Sequence, residues 1–299
     1  EIIRQSKNNR IFIAKKNIPL PYFEENRSIL FIGKAGAGKT QAFFNLLLQI
    51  FKFNETMIIY DRKPDFWNRF YDETKDYLFY PKDERSLSWN IFDDIKDEDD
   101  IDFAIKSIIP VNTEVKDPFW DNASRDILKA IFLKILTFEK PSNKKLIDFL
   151  RVNSTADELF EELYEISINN GINLEYYLKS KNTTASIMST LSAHTNKLLR
   201  KEFYYENGTF NVIDFIANID TKNRGRKLFL VQTANESGVY EVYFRLMIDL
   251  LIREIKGLLN NSQRRIWIGL DEFQSLGKLK EIEEGLAEGR SKGLAILLG

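Results

Sequence analysis

Eight consecutive residues, Gly33-Lys34-Ala35-Gly36-Ala37-Gly38-Lys39-Thr40, carry the most explicit chemistry in the sequence. They fit the pattern G-x-x-x-x-G-K-[ST], with an apolar strand-like run at 28–32 before them and a helical pattern after them. Glycines at 36 and 38 let the backbone curl so that successive N–H groups face phosphate oxygens, and the following helix adds its dipole. Lys39 is spaced to reach the β- and γ-phosphates, and Thr40 offers a hydroxyl to Mg²⁺. The span from Gly33 to Gln41 is therefore the candidate site for ATP. A second group lies far along the chain, where Ile266-Trp267-Ile268-Gly269-Leu270 runs into Asp271 and Glu272. Alone, two acids after a strand are an ordinary cap of the next turn. Beside a phosphate cradle, Asp271 would hold the metal through water, and Glu272 would orient or deprotonate the attacking water. A third group, Gly289-Arg290-Ser291-Lys292-Gly293, puts Arg290 eighteen residues past Glu272. Arg290 is either a cation offered to a neighbour's γ-phosphate or a surface basic turn.

These side chains need a sheet to position them. Strand-like runs occur at 28–32, 56–61, 77–80, 227–233, 265–270 and 294–298. Helical patterns separate them at 42–53 and 239–259, the first apolar on most of its surface and so expected to be buried all round. From about Ile95 the texture changes. An acidic run of five carboxylates within 97–102 leads into roughly a hundred residues of helical periodicity, for example 122–138, 156–168 and 183–203. The economical reading is an α/β fold: one mainly parallel sheet with an all-α insertion. Its parts are a first nucleotide-binding portion at 1–94, the insertion at 95–208 and a second portion at 209–299.

Composition limits what else the chain can be. Hydrophobic residues at 43% and charged residues at 29% define a globular chain of 299 residues. Lys plus Arg is 43 against 44 Asp plus Glu, so a uniformly basic nucleic-acid coat is excluded and any such contact is a local patch or a pore lining. The 95–208 segment has 15 Lys/Arg against 19 Asp/Glu, a net of −4, with one small basic group at Lys197, Arg200 and Lys201. The absence of cysteine excludes a disulfide scaffold, a thiolate zinc site and a thiol nucleophile, and the single His194 excludes a multi-histidine metal site. No apolar run approaches membrane-spanning length. The chain opens at Glu1 with no signal-peptide pattern, so a piece of a longer protein is expected. Several residues have two readings. Asp61 caps a turn or touches nucleotide. Phe119 and Trp120 anchor the insertion's core or stack on a base. Gln232 ends a strand or senses a γ-phosphate, and His194 is an ordinary helix residue.

The motifs taken together resemble the type IV secretion coupling ATPases, particularly the TraD-like branch of conjugative plasmids. Besides the phosphate loop, the resemblance rests on Ile59-Tyr60-Asp61-Arg62 with Phe66, on Ser88-Trp89-Asn90-Ile91-Phe92, on Ile109-Pro110 with Asp117-Pro118-Phe119-Trp120, and on Ala287-Glu288-Gly289-Arg290. It covers nearly the whole chain. It implies a RecA-like P-loop domain with an inserted all-α domain, assembled as a hexameric ring at the cytoplasmic face of the bacterial inner membrane. It further implies a transmembrane anchor outside this chain, contacts with other type IV secretion components, and delivery of relaxase-bound single-stranded DNA or a secreted protein to the channel with ATP hydrolysis. ATP would lie between subunits, with Arg290 supplied in trans. Two alternatives stay open: a nucleotide-gated docking platform with little turnover, and a double-stranded DNA pump of the FtsK or HerA kind.

Overall fold

Strands buried on both faces read as unbroken apolar runs, and four segments here are buried at every residue: Thr56–Asp61, Lys227–Val231, Ile266–Leu270 and Leu294–Leu298. A computed structural model of the protein describes residues 10–13, 18–34, 36–111, 118–178, 180–236 and 238–299. In chain order its strands are β1 (Ile11–Ile13), β2 (Ile18–Leu20), β3 (Ile29–Leu30), β4 (Thr56–Asp61), β5 (Tyr77–Phe79), β6 (Lys227–Val231), β7 (Ile266–Leu270) and β8 (Leu294–Leu298). Its helices are α1 (Lys39–Ile50), α2 (Trp67–Phe70), α3 (Glu98–Ile108), α4 (Phe119–Leu136), α5 (Asn143–Val152), α6 (Ala156–Asn169), α7 (Lys181–Thr195), α8 (Val212–Ala217), α9 (Glu241–Gly257) and α10 (Glu281–Glu288). The chain divides into two compact units, 1–87 with 212–299, and 88–211.

The first unit is built on a six-stranded sheet of order β3-β8-β7-β4-β6-β5 in which every pairing is parallel. On one face α1 buries Phe43, Leu46, Leu47 and Ile50 against Met57, Ile59, Phe229, Val231, Trp267 and Leu297. Each of those four side chains contributes about 1.5–3 kcal/mol of burial. On the other face the ring of Phe244 in α9 meets Tyr60 and Phe79, centroids 5.7 and 5.4 Å away. α9 is the helix buried on nearly all sides, from Val242 to Ile252. α1 is not: Gln41, Ala42 and Asn45 are exposed, and this side of the helix lines a cavity instead. β3 is shorter than the expected 28–32 and pairs Ile29 and Leu30 with Leu297 and Leu298 of β8. A small antiparallel pair, β1 with β2, precedes the sheet and has no counterpart in the sequence reading.

The second unit is helical, as the periodicity of its sequence requires. The acidic run is itself the start of a helix. Asp97 caps α3 by accepting from the Asp100 amide at 3.0 Å, and the acids behind it occupy the positive first turn. The expected helix over 183–203 stops at Thr195 and resumes as a single turn at Lys201–Phe203, because Leu198 turns into the core. The unit begins at Ser88 and closes at Asn211, where Trp89 pairs with Phe210 and the Thr209 amide donates to Ser88 O at 2.7 Å. That pairing puts the divisions at 87/88 and 211/212, outside the 95–208 span that texture alone marks out. Phe119 and Trp120 are half-buried and join Tyr176 and Tyr177 in one edge-to-face cluster. His194 lies at the end of α7, 3.5 Å from an Asp121 oxygen.

Candidate nucleotide site

The glycine-rich turn leaves the carboxyl end of β3 and enters α1. Gly36 and Gly38 sit at φ +78° and +85°, and a Cβ at either would meet nothing within 4 Å. Conformation, not space, demands glycine there. The turn closes through the Ala37 amide, which donates to Lys34 O at 3.1 Å. Ala35 lies outside the described residues. No described side chain caps α1, and its first turn carries no acid, so its amino end keeps unpaired N–H groups and a positive field for an anion. Lys39 and Thr40 are half-buried at that end. The Gln41 side chain is occupied along the helix, donating to Asn45 Oδ1 at 3.1 Å.

Asp271 and Glu272 follow the carboxyl end of β7, one strand removed from β3 in a parallel sheet, so they share the cradle's end of the sheet. Asp271 is buried. Burial first, then the neighbouring Glu272 charge, push its pKa up, while Lys63 and Lys39 pull it back. Glu272 occupies the left-handed region at φ +57° and ψ +44°, a cost a non-glycine residue bears only where its surroundings enforce it. Both its oxygens are engaged: Lys63 Nζ lies 2.7 Å from Oε1 and Arg62 Nη1 2.7 Å from Oε2. The Lys63 contact, assisted by Arg62, holds the carboxyl below its usual range. Among the described residues no three acidic or histidine side chains converge into a metal cage. A Thr hydroxyl and one buried carboxylate fit Mg²⁺, which keeps several waters and takes its other ligands from substrate phosphates.

The structure brings Lys39, Thr40, Asp271 and Glu272 to one end of the sheet and leaves Arg290 at the other. Arg290 is exposed in the turn that precedes β8, where its carbonyl accepts from Asn26 Nδ2 at 2.9 Å. Asp61 takes the turn-capping role: Oδ2 accepts from the Phe66 and Trp67 amides at 2.9 and 2.8 Å, and Oδ1 from Lys63 at 3.3 Å. Gln232 is buried and donates to the Tyr60 hydroxyl, which lies 2.9 Å from Ser275 Oγ. The Arg62 and Lys63 contacts with Glu272 are the part that sequence reasoning missed. Two cations directly after a strand-end acid were the available signal, but the pairing crosses 210 residues of chain. Beside the cradle, Phe12, Ile29, Phe31, Gly38, Gln41 and Leu48 are among the residues lining a cavity of about 590 Å³.

A glycine-rich loop between strand and helix, acids at the end of a nearby parallel strand, and a sheet covered by helices on both faces define a RecA-like P-loop domain. The family model described as the type IV secretion-system coupling protein DNA-binding domain matches residues 11–299, and the chain belongs to that family. It is 24% identical over 296 residues to the coupling protein TraD of Escherichia coli (strain K12), covering 95% of this chain but only 39% of TraD. Among solved structures it resembles the unbound bacterial conjugative coupling protein TrwBdeltaN70 with a TM-score of 0.82 at 23% identity, over 99% of this chain and 66% of that one. It likewise resembles the plasmid coupling protein TrwB in complex with ADP and Mg²⁺, with a TM-score of 0.83 at 22% identity, over 99% and 67% of the two chains. At these identities the structural likeness establishes the fold. No described helix is long and apolar enough to cross a membrane.

Proposed function

We propose that this chain is the ATP-hydrolysing part of a coupling protein that moves relaxase-bound single-stranded DNA, or a secreted protein, into a type IV secretion channel. The observation that carries the reading is the shared location of Lys39, Thr40, Asp271 and Glu272 at one end of a parallel sheet. The amides from Gly36 to Gln41 and the Lys39 ammonium would bind the β- and γ-phosphates, and the apolar cavity beside α1 suits the base. Thr40 and Asp271 would hold Mg²⁺, which supplies charge neutralisation on the phosphates. Glu272 would orient the attacking water and take its proton. Arg290, too far from its own cradle, would serve the site of the next subunit in a hexameric ring. An anchor outside this chain would seat that ring at the cytoplasmic face of the inner membrane, beside other secretion components. TrwB, of the same fold, has been solved with ADP and Mg²⁺.

Steady-state ATPase measurements test this. Lys39→Ala should weaken nucleotide binding. Glu272→Gln should keep binding and lower turnover by about 10²–10⁴-fold, the usual contribution of a positioned acid or base. Unchanged turnover in Glu272→Gln refutes the mechanism. A docking platform with little turnover is the second reading, favoured by the two ion pairs that occupy Glu272. It requires that nucleotide binding alone, without hydrolysis, support substrate recruitment.

A further inference from the structure

The loop after β4 grips the carboxylate assigned to water activation. Arg62 Nη1 and Lys63 Nζ each lie 2.7 Å from a different oxygen of Glu272, so neither oxygen faces outward free of a cation. The loop offers these cations from a fixed backbone, because Asp61 is bonded to the amides of Lys63, Phe66 and Trp67. Glu272 is equally fixed, since its backbone turns through the left-handed region and its carbonyl accepts from the Ser275 amide at 3.0 Å. The Lys63 half of the grip is open to solvent and the Arg62 half is half-buried: the Lys63, Glu272 and Arg62 side chains are 48%, 35% and 22% exposed. Exposed ion pairs are weak and exchange readily. Arg and Lys side chains bind phosphate oxygens at least as well as a carboxylate, Arg in bidentate fashion. The pair lies at the same end of the sheet as the cradle, so whatever happens to it is felt where hydrolysis would occur.

We propose that Arg62 and Lys63 form a clasp that keeps Glu272 from the attacking water until nucleic-acid phosphates draw the two cations away. The inference rests on the reading of Glu272 as the water-activating group. It makes strand occupancy a switch for turnover by charge exchange: a backbone phosphate takes over Arg62 and Lys63, and the released carboxylate turns to its water.

The test uses the assembled protein at saturating ATP, with and without single-stranded DNA, and compares wild type, the double variant Arg62→Gln with Lys63→Met, and Lys63→Arg. Opening the clasp should raise DNA-free kcat by about three- to tenfold, the range for losing two solvent-accessible ion pairs, with KM for ATP unchanged. Added DNA should then stimulate the double variant by only about twofold or less, while Lys63→Arg behaves as wild type. Glu272→Gln in the double-variant background should return turnover to its floor. A double variant whose DNA-free kcat equals or falls below that of wild type, with DNA stimulation intact, overturns the proposal. So does a kcat unchanged by the double substitution both with and without DNA, the result expected if the nucleotide's own γ-phosphate opens the clasp. If Glu272→Gln leaves wild-type turnover intact, the functional reading fails first, and that failure is distinguishable because it appears without any change at Arg62 or Lys63.

Discussion

Asp61 gives a pH dependence of unusual sign for a carboxylate. Burial at the end of β4 outweighs the backbone N–H groups it accepts and pushes its pKa from 3.8 to about 6. In the unfolded chain the proton leaves near 3.8, and in the folded chain near 6. Between those values the native state holds more protons than the unfolded one, so stability falls as pH rises through the window and stays lower above it. A gap of about two pH units at about 1.4 kcal/mol each amounts to about 3 kcal/mol. Asp61→Asn removes the titration, while the amide oxygen can still accept from the Phe66 and Trp67 amides. The variant-minus-wild-type difference in unfolding free energy should therefore become more favourable to the variant by about 3 kcal/mol between pH 4 and pH 7. Urea unfolding followed by tryptophan fluorescence reads this, since Trp67 and Trp267 belong to the same unit. With a slope of about 1–3 kcal/mol per molar urea, the midpoints should separate by about 1–3 M across the window. Other titrating groups cancel in the difference. A difference that is flat with pH, or that grows in the opposite direction, refutes the claim that Asp61 is held protonated into the acid range by its burial.

Two further predictions concern the seat of the cradle and the far end of the sheet. Phe43→Ala empties a fully buried position between the rings of Phe31 and Phe66, at centroid distances of 5.6 and 5.7 Å, and should cost about 3–5 kcal/mol by urea titration. It should also weaken nucleotide affinity, because α1 carries Lys39. Arg290→Ala should preserve nucleotide binding and lower turnover by about 10³-fold or more, but only at protein concentrations that support the ring. An equal loss in isolated protomers removes the assignment in trans.

What could be read from the sequence follows the range over which its signals act. β7 and β8 are unbroken apolar runs, β4 is apolar from Met57 to Tyr60 and all three are buried throughout, and the phosphate loop is a contiguous motif, so each carries its own evidence within ten residues. The strands of the β1–β2 pair are only three residues long, too short for a period of two to register. The acidic run at 97–102 looked like a boundary because its charge drew attention away from what it also is, a capped helix start with three acids in the first turn. α1 looked buried all round because periodicity counts apolar residues without knowing that one side faces a cavity. The contacts of Glu272 with Arg62 and Lys63 were out of reach for a different reason. They depend on β4 and β7 becoming neighbours, a fact of strand order that no local pattern encodes.

Strand polarity carries the remaining step. In a parallel sheet every loop that follows a strand collects at one end and every loop that precedes one collects at the other. The cradle after β3, the cations after β4 and the acids after β7 share the first end, while Arg290, immediately before β8, belongs to the second. A five-residue strand spans about 15 Å, beyond the reach of a guanidinium folded back on its own chain. Arg290 is nevertheless held in place, its carbonyl tied to Asn26 and its turn closed by Gly293 at φ +84°, where a Cβ would strike the Arg264 carbonyl oxygen. Under the proposed function, an exposed cation on a backbone so fixed would serve a second copy that offers the opposite end of its sheet. A contact between unlike faces is head-to-tail, and head-to-tail contacts close into rings when the rotation permits. Under the proposed function, the polarity that keeps Arg290 from its own cradle is what would make a ring of protomers the working unit.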